Sequence, residues 1–379
     1  MDMRSLVSRS PAASMARTAL AAAAVALAWI AAPAGPARAD EFQTLLDRFI
    51  EKEGLPGGVL LVSSPQRRSV AVAGLADRRA GRPVTEDTRF YAASVGKVPV
   101  AIAALQLVEE GRLDLDAPVA SLAAGLPGIA KLPNARAARL RHLLEHSSGI
   151  PDYLTDEFAE ASAAEPARRW TAAEAIAFAF DQEAEGRPGT LYSYSNTNYV
   201  LLGHIIAAAD GAPLEAVLRR RVFEPAGMTG TTVGARPGDR RLARGYQDAE
   251  DDGRLRDVSA VSWNSLLGDG PIVTTAGDLE RFLLALFRDG RLLRPATLAR
   301  MATPSAKEAG YGFGLELGET RWGRWAGHTG SYDGFDAEAR YYLDRETVIV
   351  FMANGNQDSD RSIIDEAAGR LFGRARAAN

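Results

Sequence analysis

The sequence predicts an α+β fold, with one sheet assembled from both ends of the chain and an all-helical segment inserted beside it. Three observations carry this. Strand-like runs stand near the start, at Val59-Leu60-Leu61-Val62 and Ser69-Val70-Ala71-Val72-Ala73. A second group of such runs stands near the end, at 311–317, 324–328, 337–343 and 348–352. The chain between the two groups reads as helices joined by loops with Pro and Gly. The expected division is a leader at 1–39, a sheet domain from 40–97 and 262–379, and a helical insert at 98–261.

Composition bounds the function. The chain has 379 residues, 46% hydrophobic and 24% charged, with a formal net charge of -4. That is an ordinary globular balance, and nothing basic enough stands out to imply nucleic acid. The chain has no cysteine, which removes disulfides, thiol catalysis, cysteine-bound zinc and lipid attachment to cysteine.

The leader is read from Arg4, Arg9 and Arg17, which precede an apolar run at 19–30, too short to span a bilayer comfortably. Ala37-Arg38-Ala39 then fits a small-residue cleavage site, so removal is expected before Asp40, with export to the periplasm or medium. The alternative is an uncleaved anchor. No later stretch reads as a membrane span.

After the leader, Phe42, Leu45, Leu46, Phe49 and Ile50 form a helical stripe over 40–53. Gly54 to Gly58 breaks it, and the two early strands follow, joined by a turn at Ser63-Ser64-Pro65-Gln66. A helix begins near Ser94 and is apolar through 98–109. Helices are read at 140–146, 171–180, 199–209 and 214–223, then at 276–287, with a closing amphipathic helix at 362–374.

Ser94-Val95-Gly96-Lys97 holds the first candidate chemistry. Residues three apart share a helical face, so Ser94 and Lys97 can touch. Burial disfavours the charged lysine, and a neutral amine can take the hydroxyl proton. Only four of the 44 basic residues are lysine, Lys52, Lys97, Lys131 and Lys307, and arginine cannot act as a base. The alternative is a capping serine beside a solvated lysine.

Tyr194 and Asn196, two apart in a turn before a helix, form a second candidate. A phenol near a cationic lysine would ionise more easily, and Asn196 has both donor and acceptor for a substrate amide. The alternatives are an N-cap and packing tyrosines. His328-Thr329-Gly330-Ser331 ends a strand, where Gly330 permits close backbone approach and suits a substrate along the strand edge. The alternative is a turn with an exposed histidine. His142-Leu143-Leu144-Glu145-His146 matches a zinc-protease spacing, but the helix stops at once and His146 is read as ordering the following loop.

Taken in chain order, these boxes resemble the serine β-lactamase/penicillin-binding protein family in its class C-like branch. S-x-x-K is Ser94 to Lys97, Y-x-N is Tyr194 to Asn196, and the third box is His328-Thr329-Gly330. The flanks Leu143-Leu144-Glu145-His146-Ser147-Ser148-Gly149-Ile150-Pro151, Tyr199-Val200-Leu201-Leu202-Gly203, Glu224-Pro225-Ala226-Gly227-Met228 and Val273-Thr274-Thr275-Ala276-Gly277-Asp278-Leu279 share it. The resemblance implies an antiparallel sheet flanked by helices beside a helical domain, with the cleft between. It implies a serine hydrolase working through an acyl-enzyme on Ser94, with Lys97 and Tyr194 sharing proton transfer. Asn196, His328, Thr329, Gly330 and Ser331 would bind substrate, and the N–H groups of Ser94 and Ser331 would form the oxyanion hole. No metal or cofactor is required.

One departure matters: class C β-lactamases carry lysine where this chain has His328. Histidine there resembles carboxypeptidase, esterase and D-amino-acid amidase relatives. The expected substrate is a small molecule or peptide with an amide or ester carbonyl, cell-wall peptide included. Other readings are an esterase or weak β-lactamase with the same machinery, and a catalytically weak binding or sensing protein. A titrating His328 would make recognition of anionic substrates depend on pH.

Overall fold

A computed structural model describes residues 40–260, 267–270, 272–357 and 361–377. The leader at 1–39, its cleavage motif and the 261/262 domain boundary lie outside these residues. Helix α1 (Glu41–Lys52) starts on Asp40, whose carboxylate accepts the Phe42 N–H at 3.0 Å. It buries the five residues of the expected stripe. Strands β1 (Gly57–Ser64) and β2 (Arg67–Asp77) form the expected hairpin, followed by the short β3 (Arg82–Pro83) and β4 (Phe90–Tyr91).

A 3-10 turn over Ala93–Gly96 feeds α2 (Lys97–Glu109), which is apolar on all sides because it is buried on all sides. Then come α3 (Val119–Leu122), α4 (Leu140–Leu144), α5 (Asp156–Ala164), α6 (Ala172–Ala177), α7 (Asn196–Asp210), α8 (Leu214–Leu218) and, through a π turn at Arg219–Phe223, α9 (Glu224–Ala226). Past α9 the segment read as all-helical carries three two-residue strands: β5 (Thr232–Val233), β6 (Tyr246–Gln247) and β7 (Arg256–Asp257). Strands this short have no period-two pattern to announce them. β5 pairs with β8 (Ile272–Thr274), which also pairs with β4.

Helices α10 (Ala276–Leu283) and α11 (Pro295–Met301) lead into β9 (Glu316–Thr320), β10 (Gly323–Tyr332), β11 (Phe335–Tyr342), β12 (Thr347–Ala353) and α12 (Ile363–Ala377). The strand expected at 311–317 begins only at Glu316. Upstream of it the Gly312 N–H closes onto the Leu315 carbonyl, which turns the chain and sends Tyr311 inward. Helix α5 was not legible because Phe158 is its one buried apolar residue; its signal is the Thr155 N-cap, which accepts from the Phe158 N–H at 3.1 Å.

The main sheet has seven antiparallel strands in the order β3-β2-β1-β12-β11-β10-β9. The two ends of the chain meet at its centre, where β1 pairs with β12 in register Leu60↔Phe351. α1 and α12 cover one face, packing Phe49 edge-on to Phe351 at 5.4 Å between ring centroids. α2, α7 and α10 belong to the core on the other face with Val59, Leu61 and Val350. Both faces are covered, so β1 reads as a continuous apolar run, and each fully buried large side chain contributes about 1.5–3 kcal/mol. Among the described residues no single helix is long and apolar enough to cross a membrane.

Candidate active site

The site lies where the 3-10 turn before α2 meets β10, α7 and the loop 267–270. Ala93 is held at φ 46°, a left-handed conformation that costs a non-glycine residue on the order of 1–3 kcal/mol, and it presents Ser94 half-exposed at the cleft. Gly270, at φ 141°, fits against this turn; a Cβ there would lie 2.3 Å from the Ala93 carbonyl. That contact brings the Asp269 carbonyl to Lys97.

Lys97 is fully buried and its Nζ reaches Ser94 Oγ at 2.9 Å, Asn196 Oδ1 at 2.8 Å and the Asp269 carbonyl at 2.6 Å. Burial lowers its pKa to about 8, against the opposing pull of Asp269, Asp152 and Glu316. Lys97 also opens α2, where the positive end of the helix dipole disfavours a cation. As a neutral amine it keeps two N–H donors for Asn196 and Asp269 and turns its lone pair to the Ser94 hydroxyl. The pairing expected from the S-x-x-K spacing is therefore present.

Asn196 opens α7, and its orientation is fixed by a residue that the sequence did not single out. Asp152 Oδ2 accepts from the Asn196 backbone N–H at 3.1 Å and from Nδ2 at 2.8 Å. With Nδ2 on Asp152, the amide oxygen must face Lys97. Asn196 was expected to hold a substrate through donor and acceptor together. Lys97 uses one lone pair of Oδ1 and Asp152 one N–H of Nδ2, which leaves one acceptor site and one N–H.

Tyr194 hydrogen-bonds to the Ser94 side chain. Its phenol was expected to ionise more easily beside the lysine, and the structure reverses that: burial pushes its pKa well up, with Glu316, Asp269 and Asp152 adding to the rise. Lys97 Nζ sits over the ring, 5.1 Å from the centroid. His146 backs Tyr194, with the two rings stacked at 4.1 Å. His146 Nδ1 accepts from the Ser195 N–H at 3.1 Å, while its carbonyl accepts from the Ser193 N–H at 2.9 Å. These contacts order 193–195, not the following loop that His146 was expected to order. His142 Nδ1 instead accepts from the Arg139 N–H at 3.1 Å, so the two histidines point to different partners. Among the described residues no group of three His, Asp or Glu is placed to hold a metal.

The third box runs along β10. A Cβ on Gly330 would lie 2.4 Å from the Ala92 carbonyl and 2.8 Å from Ser94 N. The close approach that Gly330 permits is therefore to the serine's own turn, rather than to a substrate as expected. The Thr329 N–H points away from β11 onto Glu316 Oε2, at 3.0 Å. Ser331, two residues on, directs its N–H to that same edge.

His328 is buried, at 2% exposure. Its Nδ1 lies against the Thr329 carbonyl and 3.3 Å from Glu316 Oε1, so Nδ1 carries the proton; Nε2 accepts from the Tyr311 hydroxyl at 3.0 Å. Burial lowers its pKa, with Glu316 opposing. Burial thus favours the neutral imidazole more than in a free histidine, and Glu316 pulls the other way.

A cleft of about 680 Å³ opens over Ser94. Tyr194, Asn196, His328, Thr329, Gly330 and Ser331 all line it. Leu154, Phe158 and Trp170, from the α5 region and the loop after it, add apolar side chains to its lining, beside Asp156. Asp269, also missed in the sequence, lies in its floor and accepts from the Tyr153 hydroxyl at 2.7 Å.

Comparison with known proteins agrees with this arrangement. A family profile described as Beta-lactamase matches residues 42–372. The chain is 27% identical to penicillin-binding protein 4* of Bacillus subtilis over 354 residues, covering 87% of this chain and 75% of that protein. It is 29% identical to D-aminopeptidase of Brucella anthropi, covering 79% of this chain and 56% of that protein. Among solved structures, D-amino acid amidase from Ochrobactrum anthropi SV3, complexed with L-phenylalanine amide, superposes with a TM-score of 0.75 at 28% identity, covering 89% of this chain and 98% of that one. The fold, the serine–lysine pair in its cleft and the match along most of the chain converge on one assignment: the chain belongs to the beta-lactamase family and is a serine hydrolase.

Proposed function

We propose that this serine hydrolase is exported and cleaves amide bonds through an acyl-enzyme on Ser94, as a D-amino-acid amidase or D,D-peptidase-type enzyme. The observation that carries this reading is the Lys97 amine, buried, with a pKa near 8 and hydrogen-bonded to Ser94 Oγ at 2.9 Å. Export rests on the leader read in 1–39, and the D-amino-acid preference on the named relatives.

In this reading Lys97, as the free amine, takes the Ser94 proton while Oγ attacks the carbonyl carbon. The N–H groups of Ser94 and Ser331 hold the oxyanion; removing one such donor typically costs about 10²–10³ in rate. Tyr194 stays a phenol, gives its proton to the departing amine as the C–N bond breaks, and regains one from Lys97. Water then attacks the ester carbonyl, giving a proton to the free Lys97 amine, which passes it to Ser94 Oγ as the C–Oγ bond breaks and the acid leaves. Asn196 and Asp269 hold the lysine, and Asp152 holds Asn196.

A second reading, an esterase with the same machinery, is favoured by the apolar side chains Leu154, Phe158 and Trp170 that line the cleft. Turnover of a D-amino-acid amide, a D-Ala-D-Ala peptide and a short-chain nitrophenyl ester by wild type and Ser94→Ala separates the readings. Amide turnover that depends on Ser94 supports the first. Ester turnover alone supports the second, and no turnover of any of them leaves the binding-protein alternative. Sequencing the N-terminus of the protein recovered outside the cytoplasm tests export: it should begin at Asp40.

A further inference from the structure

β9 pairs with β10 only as far as its first residue, Glu316, opposite Gly327, so among the described residues the edge of β10 from His328 onward has no strand partner on that side. This open edge runs past Ser94. The Glu316 side chain reaches along it. Its Oε2 takes the Thr329 N–H at 3.0 Å and its Oε1 takes the Thr329 hydroxyl at 2.6 Å. Both donors with which Thr329 faces the cleft are therefore spent on a carboxylate built into the chain. The Glu316 side chain is 23% exposed and lines the cleft.

We propose that Glu316 is a specificity-determining residue: it fills the position at the β10 edge where a substrate carboxylate would dock, so the site rejects acyl donors with an anionic group there and selects those with an ammonium group. The inference rests on Ser94 being the nucleophile. An incoming carboxylate meets a like charge and finds Thr329 without a free donor. An ammonium group meets the opposite situation. A carboxylate has about four lone-pair sites and Thr329 uses two, so acceptor capacity remains for a substrate N–H.

The surroundings do not offset this charge. The other ionisable acids lining the cleft are Asp156, Asp269 and Asp333, and neither arginine nor lysine is among its lining residues as described. Lys97 lies behind Ser94, hydrogen-bonded to Ser94, Asn196 and Asp269, and is not among the lining residues. Burial favours the neutral form of His328. The negative field of Glu316 is felt at Lys97 and at Tyr194, where in both cases it favours the protonated form.

The test uses two matched substrate series, since charge can sit on either side of the scissile bond. On the acyl side these are the p-nitroanilides of D-alanine, N-acetyl-D-alanine and N-succinyl-D-alanine, carrying a cation, no charge and an anion. On the leaving side they are N-acetyl-D-alanyl amides of ethylenediamine, ethanolamine and glycine. In at least one series kcat/KM should favour the cation over the anion by about tenfold or more, the scale of a charged hydrogen bond. Glu316→Gln should bring that ratio toward one, the rate on the neutral member serving as the reference within each enzyme.

A ratio that stays within about twofold between wild type and Glu316→Gln in both series overturns the proposal. Should the variant lose its fold, wild type alone decides: raising salt from about 20 to about 500 mM should compress the ratio, and a salt-insensitive ratio overturns the proposal. Wild type that turns over the neutral member through Ser94 with no charge preference sinks only this inference. Failure to label Ser94 sinks the nucleophile assignment as well.

Discussion

The imidazole of His146 lies on the phenol of Tyr194, with ring centroids 4.1 Å apart and planes 26° from parallel. The same residue grips the chain on either side of that tyrosine, through its carbonyl at Ser193 and its Nδ1 at Ser195. It does so at φ 53°, and fully buried, with its pKa pressed well below the usual histidine range by burial. His146 is a neutral clamp on the residue that hydrogen-bonds Ser94.

Replacing that clamp tests it. His146→Asn keeps a residue type tolerant of positive φ and removes the ring. We expect kcat to fall about tenfold with KM little changed, together with about 1–3 kcal/mol of destabilisation from the lost packing and hydrogen bond. Parallel measurement of melting and of kcat and KM checks this. A stable variant with unchanged kcat would reduce His146 to a packing residue.

Acylation should follow the Lys97 amine. Its folded pKa is depressed from 10.5 to about 8, so the reactive neutral form grows as pH rises. On a neutral substrate kcat/KM should climb through pH 8 and level off above it. Asp152 holds a proton on Lys97 by charge and holds Asn196 by two hydrogen bonds. Asp152→Asn should therefore move the midpoint to lower pH and lower the plateau. A midpoint that moves up, or does not move, contradicts the charge coupling.

Gly330→Ala should damage catalysis more than folding. The added methyl would meet the Ala92 carbonyl at 2.4 Å, Ser94 N at 2.8 Å and the Ala93 Cβ at 3.1 Å. Displacing β10 from Ser94 by about 1 Å is enough to cost on the order of 10² in rate. Burst kinetics with a nitrophenyl ester, set beside a thermal melt, measures both. Wild-type acylation would mean that the strand and the serine turn are not held in register by this contact.

How much of this could be read in the sequence depended on distance along the chain. Ser94 and Lys97 were legible because a single helical turn joins them. The stripe of α1 and the β1–β2 hairpin were legible because periodicity and turn residues are local signals. Asp152, Asp269 and Glu316 were not, although each fixes part of the site. Asp152 meets Asn196 across 44 residues, and Lys97 meets the Asp269 carbonyl across 172. Nothing near those acids marks them as partners. The direction of the Tyr194 shift was misjudged for the same reason: the lysine was visible, whereas the burial and the three carboxylates that outweigh it are products of the fold.

The most direct test of the account is the site of covalent labelling. The protein is treated with a fluorophosphonate at pH 8, digested, and its adduct located by peptide mass spectrometry. The account predicts a single adduct on Ser94, no adduct in folded Ser94→Ala, and strongly slowed labelling in Lys97→Met, since losing a member of a concerted nucleophile–base unit costs on the order of 10⁴–10⁶. An adduct on another residue, or one that persists in Ser94→Ala, would contradict it.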